Sequence, residues 1–70
     1  MTTEEKRALV PIWKKVLISV DEAAIYTSIG VKKLRKLTED PDCKFVLWIG
    51  SKRMLKRKLL DEFLHNAYFI

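Results

Sequence analysis

The spacing of apolar residues along this chain changes period from segment to segment, and each change marks a predicted element. After Ser19, the apolar positions Val20, Ala23, Ala24 and Ile25 follow a helical spacing for about two turns and are expected to face the core. Ser19-Val20-Asp21-Glu22 matches the capping box, in which the serine hydroxyl accepts from the third helical amide and the glutamate reaches back to the serine amide. The helix therefore starts at Val20. Thr27-Ser28-Ile29-Gly30 supplies cap and turn residues, with glycine as the expected joint to a second helix. That helix runs from about Val31 to Glu39, with Val31, Leu34 and Leu37 inward and Lys32, Lys33, Arg35 and Lys36 outward. Asp40-Pro41-Asp42 ends it, because proline pushes its predecessor out of the helical region.

The pattern then becomes extended. Phe45 to Ile49 is β-branched and aromatic, Gly50-Ser51 is a two-residue reversal, and Arg53 to Arg57 returns as the partner strand. A last helix from about Lys58 to Asn66 carries Leu60, Phe63, Leu64 and Ala67 at helical spacing, followed by the apolar tail Tyr68-Phe69-Ile70. Upstream, Met1 to Ala8 is polar without an apolar period and reads as a flexible arm, and Pro11 interrupts Leu9 to Trp13. Val16-Leu17-Ile18 is a short run suited to the edge of a small sheet. The order gives an α+β fold in one domain over residues 1–70: a winged helix-turn-helix with a short N-terminal strand, two helices, a two-stranded wing and a C-terminal helix. A chain this short buries only about 60 % of its unfolded surface, so the aromatics Trp13, Phe45, Trp48 and Phe63 are assigned to the core rather than to stacking on single-stranded bases.

Charge sharpens this picture. Fourteen Lys and Arg against nine Asp and Glu leave a net +5, and the cations cluster. Between Cys43 and Lys58 lie Lys44, Lys52, Arg53, Lys56, Arg57 and Lys58 with no acid, which suits a phosphate backbone. Catalysis finds little support: His65 is the lone histidine, Cys43 the lone cysteine, and Gly30 and Gly50 are the only glycines. No catalytic residue, metal ligand or cofactor is expected. The apolar runs are far shorter than the roughly 20 residues that span a bilayer and no secretory signal is present, so a soluble cytoplasmic protein without membrane contact is expected.

The candidate contacts follow from the helix-turn-helix, whose second helix lies in the major groove of duplex DNA. Lys32, Lys33 and Lys36 lead, with Arg35 in the groove or on a phosphate, and Lys52 and Arg53 at the hairpin tip reach towards a neighbouring minor groove. Ser19, the Tyr26 hydroxyl and Lys56 complete the set. The competing readings are a solvated cationic face, lysines that merely protect a sheet edge, and a module whose basic face docks an acidic protein.

Over about fifty residues the chain resembles the small excisionases of conjugative transposons that use a tyrosine recombinase as integrase. The resemblance is carried by Pro11-Ile12-Trp13, Leu17 to Ser19, Glu22-Ala23, Tyr26, Ile29-Gly30, Lys33 to Leu37, Gly50 and Lys56-Arg57-Lys58, in that order and spacing. One departure is Arg53, where the resemblance calls for an apolar residue in the returning strand. The helix-turn-helix portion is also similar to MerR-type DNA-binding domains, which makes a small winged-helix transcriptional regulator the alternative. Excisionase is favoured because nothing after the last helix offers a dimerising coiled coil or an effector pocket. The resemblance implies a non-enzymatic factor in the bacterial cytoplasm, on the nucleoid, that binds and bends double-stranded DNA at element ends and places the tyrosine recombinase integrase for excision. Copies could also associate cooperatively on the DNA, and the apolar tail could touch the integrase, a neighbouring copy or its own domain.

Overall fold

The computed structural model describes residues 2–70, arranged as α1 (Thr3–Ala8), a 3-10 turn (Ile12–Lys14), β1 (Leu17–Ser19), α2 (Val20–Thr27), α3 (Val31–Glu39), β2 (Val46–Ile49), β3 (Lys52–Lys56) and α4 (Arg57–Asn66). The three strands form one antiparallel sheet in the order β1-β3-β2. This is the α+β winged-helix arrangement that the sequence predicts. Residues 3–8, expected as an arm, carry the short helix α1, at whose start Thr2 Oγ1 accepts from the Glu5 amide at 3.2 Å.

A small core sits between the sheet and the helices, built from Ile18, Val20, Ala23, Leu34, Phe45, Leu55 and Leu60. β1, α2, α3, β3 and α4 each contribute one or two of these and Phe45 comes from just ahead of β2, so these elements depend on one another for cover. Ala23 at zero exposure lets α3 come close to α2, and Leu34 fills the joint. Ile25, expected inward, is 76 % exposed. Five positions after Val20 on a helix is about 140° round the axis, on the far side from the buried Val20 and Ala23.

The α2–α3 turn also differs in detail. The left-handed residue is Ser28, with φ 63°, whereas Gly30 has φ −62° and serves as the N-cap of α3. Ser28 holds this conformation because its amide donates to Ala24 O at 3.0 Å, closing the end of α2, while Thr27 Oγ1 donates to Ala23 O and accepts from the Ile29 amide. In the hairpin, Gly50 at φ 60° occupies the first of the two loop residues between the paired Ile49 and Lys52, the place where a type II′ turn demands glycine. The last helix begins one residue earlier than expected, and Phe63 packs on Phe45 with ring centroids 5.2 Å apart.

The capping box is present in full: Ser19 Oγ accepts from the Glu22 amide at 3.1 Å and Glu22 Oε1 accepts from the Ser19 amide at 3.0 Å. Glu22 also pairs with Lys15, tying the chain ahead of β1 to α2. Burial works against the ionised Glu22, but the Lys15 ammonium and the Ser19 amide outweigh it and hold its carboxyl below the usual range. A lowered folded-state pKa means that Glu22 stabilises the fold above the unfolded value, and that this contribution fades as pH falls through the folded one. Ser19→Ala should cost about 1 kcal/mol. Thermal melts of Glu22→Gln should show a shallower loss of stability on acidification than wild type; parallel curves would dismiss this linkage.

Candidate nucleic-acid interface

Helix α3 presents Lys32, Lys33, Arg35 and Lys36 to solvent while Leu34 and Thr38 are buried beneath. Thr38 is satisfied internally, its hydroxyl donating to Arg35 O at 2.7 Å. The charges run against what the helix itself favours. A helix N-terminus prefers acids and its C-terminus cations, yet the first turn holds no acid and carries Lys32 and Lys33, while Glu39 and Asp40 stand at the far end. Lys36, in the last turn, is where the dipole favours a cation, so helix stability leaves Lys32 and Lys33 unexplained. Lys32, Lys36 and the flanking Lys33 and Arg35 span about 160° of the helix surface.

Strand register decides which wing residues join them. Leu55 pairs with Ile18 and Val46 on the core side of the sheet, so Arg53, two residues away, projects to that same side. Its cross-strand partner is Trp48, and the Arg53 guanidinium lies over the Trp48 ring, 4.8 Å from the centroid. The departure noted at Arg53 thus has a structural role. An open cleft of about 340 Å³ lies here, bounded by Arg35, Arg53, Trp48, Ser51 and the start of α2 at Ser19 and Asp21. Two arginines from different elements, Arg35 on α3 and Arg53 on β3, line it. The Ser19 oxygen already accepts from Glu22, and its hydroxyl hydrogen remains available to an anion. Asp21 subtracts one charge from the rim.

A profile of the family described as the excisionase from transposon Tn916 matches residues 1–70. The chain belongs to that family. The excisionase from transposon Tn916 of Streptococcus agalactiae serotype V is 30 % identical over 60 residues, covering 84 % of this chain and 90 % of that relative.

In this Tn916-type excisionase the remaining candidates divide. Lys52 is exposed at the hairpin tip, but its register places it on the outer face of the sheet with Met54, away from Arg53. Lys56 follows on the same outer face, at the far end of β3 opposite Leu17, so it does not converge with the α3 cations. Tyr26 packs partly against the core from late in α2. Arg57, counted with the basic hairpin, is engaged in the fold: its Nε donates to Lys15 O at 2.8 Å and its guanidinium pairs with Asp61 at 3.0 Å.

Sequence reasoning missed Trp48 and Ser51 as cleft residues, and it buried Trp48 and Trp13, which are 52 % and 63 % exposed. Counting back from the two-residue loop at Gly50-Ser51 pairs Ile49 with Lys52 and Trp48 with Arg53, so the Trp48–Arg53 contact was available from hairpin geometry. Trp13 lies in the 3-10 turn ahead of β1, which has no buried residue. Among the described residues no group of metal-ligating side chains occurs, and no helix is long and apolar enough to cross a membrane.

Proposed function

We propose that this excisionase is a recombination directionality factor: it binds specific duplex sites near the ends of its mobile element, bends the DNA and places the element's tyrosine integrase so that excision outruns integration. The observation that carries the reading is the α3 face, where Lys32 and Lys33 stand against the helix dipole beside an arginine-lined cleft. In this reading Lys32, Lys33 and Lys36 meet base edges and phosphates in the major groove, and Arg35 and Arg53 share a phosphate across the cleft, with the Ser19 hydroxyl donating to it. Lys52 carries the wing tip towards the neighbouring minor groove, Tyr26 offers its hydroxyl to the backbone, and Lys56 adds charge from the outer face.

Bond making and breaking belong to the integrase in this scheme, and no cofactor enters. The protein contributes geometry. Smoothly bending a site of 20 to 30 base pairs costs on the order of 1 to 6 kcal/mol, which phosphate neutralisation by a strongly cationic face offsets. The working place is the bacterial cytoplasm, on the nucleoid, where copies on adjacent sites would reinforce one another.

The deciding experiment is an excision assay in cells that carry a marked element and its integrase, with and without this protein, scoring the rejoined junction. A large rise in junctions that vanishes with Arg35→Ala supports the proposal. No rise, with duplex binding intact, would replace it with a small MerR-like transcriptional regulator.

A further inference from the structure

The flank of α3 opposite the wing carries a second surface of different chemistry. Leu37 lies two positions after Arg35, about 200° round the helix, so the two side chains point to opposite flanks of the cationic face. On the Leu37 side is an open groove of about 550 Å³ between the end of α3 and α4, floored by Leu37, Phe45, Leu59 and Phe63. Its rim carries Asp40, Asp42 and Glu62 against a single cation, Lys44, so it is acidic on balance. Among the described residues none of these three acids is in an ion pair, and all three are exposed.

These acids sit oddly on a chain of net charge +5. Asp40 caps the C-terminal end of α3 and has a local role, its Oδ1 accepting from the Asp42 amide at 2.9 Å in the turn that ends the helix, whereas among the described residues the Asp42 and Glu62 carboxylates have no such tie. Phosphate would be repelled from this flank. The groove is also of a size that takes one or two large side chains, and its apolar floor gives nothing to a polyanion.

We propose that this groove docks the integrase, through a segment that presents an apolar or aromatic anchor flanked by Lys or Arg. The proposal rests on the recombination reading above and names the surface through which that reading works. Charge complementarity selects the occupant: an acid-rimmed apolar groove beside a DNA-docking face matches a cationic protein held on the adjoining DNA. The anchor fills the space over Phe63 and Leu59, and the partner's cations meet Asp42 and Glu62, which restricts the pairing to one orientation.

The test uses Asp42→Lys/Glu62→Lys, which changes only exposed side chains, with Glu5→Lys on α1 as a control for added charge. Purified protein, integrase and a DNA fragment bearing the element end are assayed for duplex affinity, for the ternary complex by gel shift, and for junction formation. The expected result is duplex affinity at or above wild type for both variants, with ternary complex and junction yield falling at least tenfold only for the groove variant. Wild-type ternary complex and junction yield in the groove variant would overturn the docking proposal and leave the recombination reading standing. A loss confined to cooperative binding of two copies, with the integrase complex intact, would also overturn it and assign the groove to self-association. Failure of the wild-type protein to raise junction yield at all would overturn the recombination reading itself and the docking proposal with it.

Discussion

Arg35→Ala is expected to lower affinity for the specific duplex site by roughly 10- to 100-fold, the equivalent of about 1 to 3 kcal/mol, while leaving the melting temperature close to wild type. The side chain is exposed on α3 and lines the cleft with Arg53, so its removal takes one of the two arginines of the cleft without opening the core. The wing should respond differently. Lys52→Ala, at the exposed tip, should weaken binding about equally on specific and random DNA and reduce the salt slope by about one. Trp48→Ala frees the Arg53 guanidinium from the ring it now covers, a contact worth about 0.5 to 1 kcal/mol at such a site, so a loss of a few fold is expected. Gel-shift titrations over a salt series separate the three. Unchanged specific affinity in Arg35→Ala would sink the docking of α3 as described.

Leu34→Ala should be the most damaging single change to stability. Leu34 is fully buried between α2 and the sheet and is the main apolar anchor of α3. Truncating a buried leucine costs about 2 to 5 kcal/mol through lost transfer energy and the cavity left behind. A domain of this size has about 4 to 10 kcal/mol in total at the usual stability per residue, so about half is at stake. Far-UV circular dichroism during urea unfolding is the appropriate readout. Tryptophan fluorescence would mislead, because Trp13 and Trp48 are already largely exposed in the folded protein. A loss below about 1 kcal/mol would mean that α3 is held by something other than Leu34.

Much of the fold was legible because its signals are local. The capping box at Ser19 fixes the start of α2, the amphipathic run with Pro41 behind it fixes α3, and Gly50-Ser51 fixes the hairpin. Each depends on contacts between residues a few positions apart. The errors came where apolar character was taken as burial. Ile25, Trp13 and Trp48 are apolar or aromatic, yet a side chain is buried only if another element covers it, and in a seventy-residue chain there are too few elements to cover them all. Ser28 rather than Gly30 took the left-handed position for a similar reason. The end of α2 falls at Thr27, so the strained residue is the one that closes that helix.

By itself the sequence determined the order of elements from β1 to α4, the cationic character of α3 and the resemblance to transposon excisionases. Helical period, capping and turn chemistry are encoded in near neighbours, and the sign of a charge needs no structure. Only the tertiary structure decided which cations stand together. The antiparallel register turns Arg53 towards Arg35 and sends Lys52 and Lys56 to the other face of the sheet, while Arg57 is held by Lys15 and Asp61. It also set Asp40, Asp42 and Glu62, with Lys44, around an apolar groove on the flank of α3 away from the wing. Convergence of this kind is a property of distances through space, fixed when the core around Leu34 and Leu55 closes, and no local pattern along the chain encodes it.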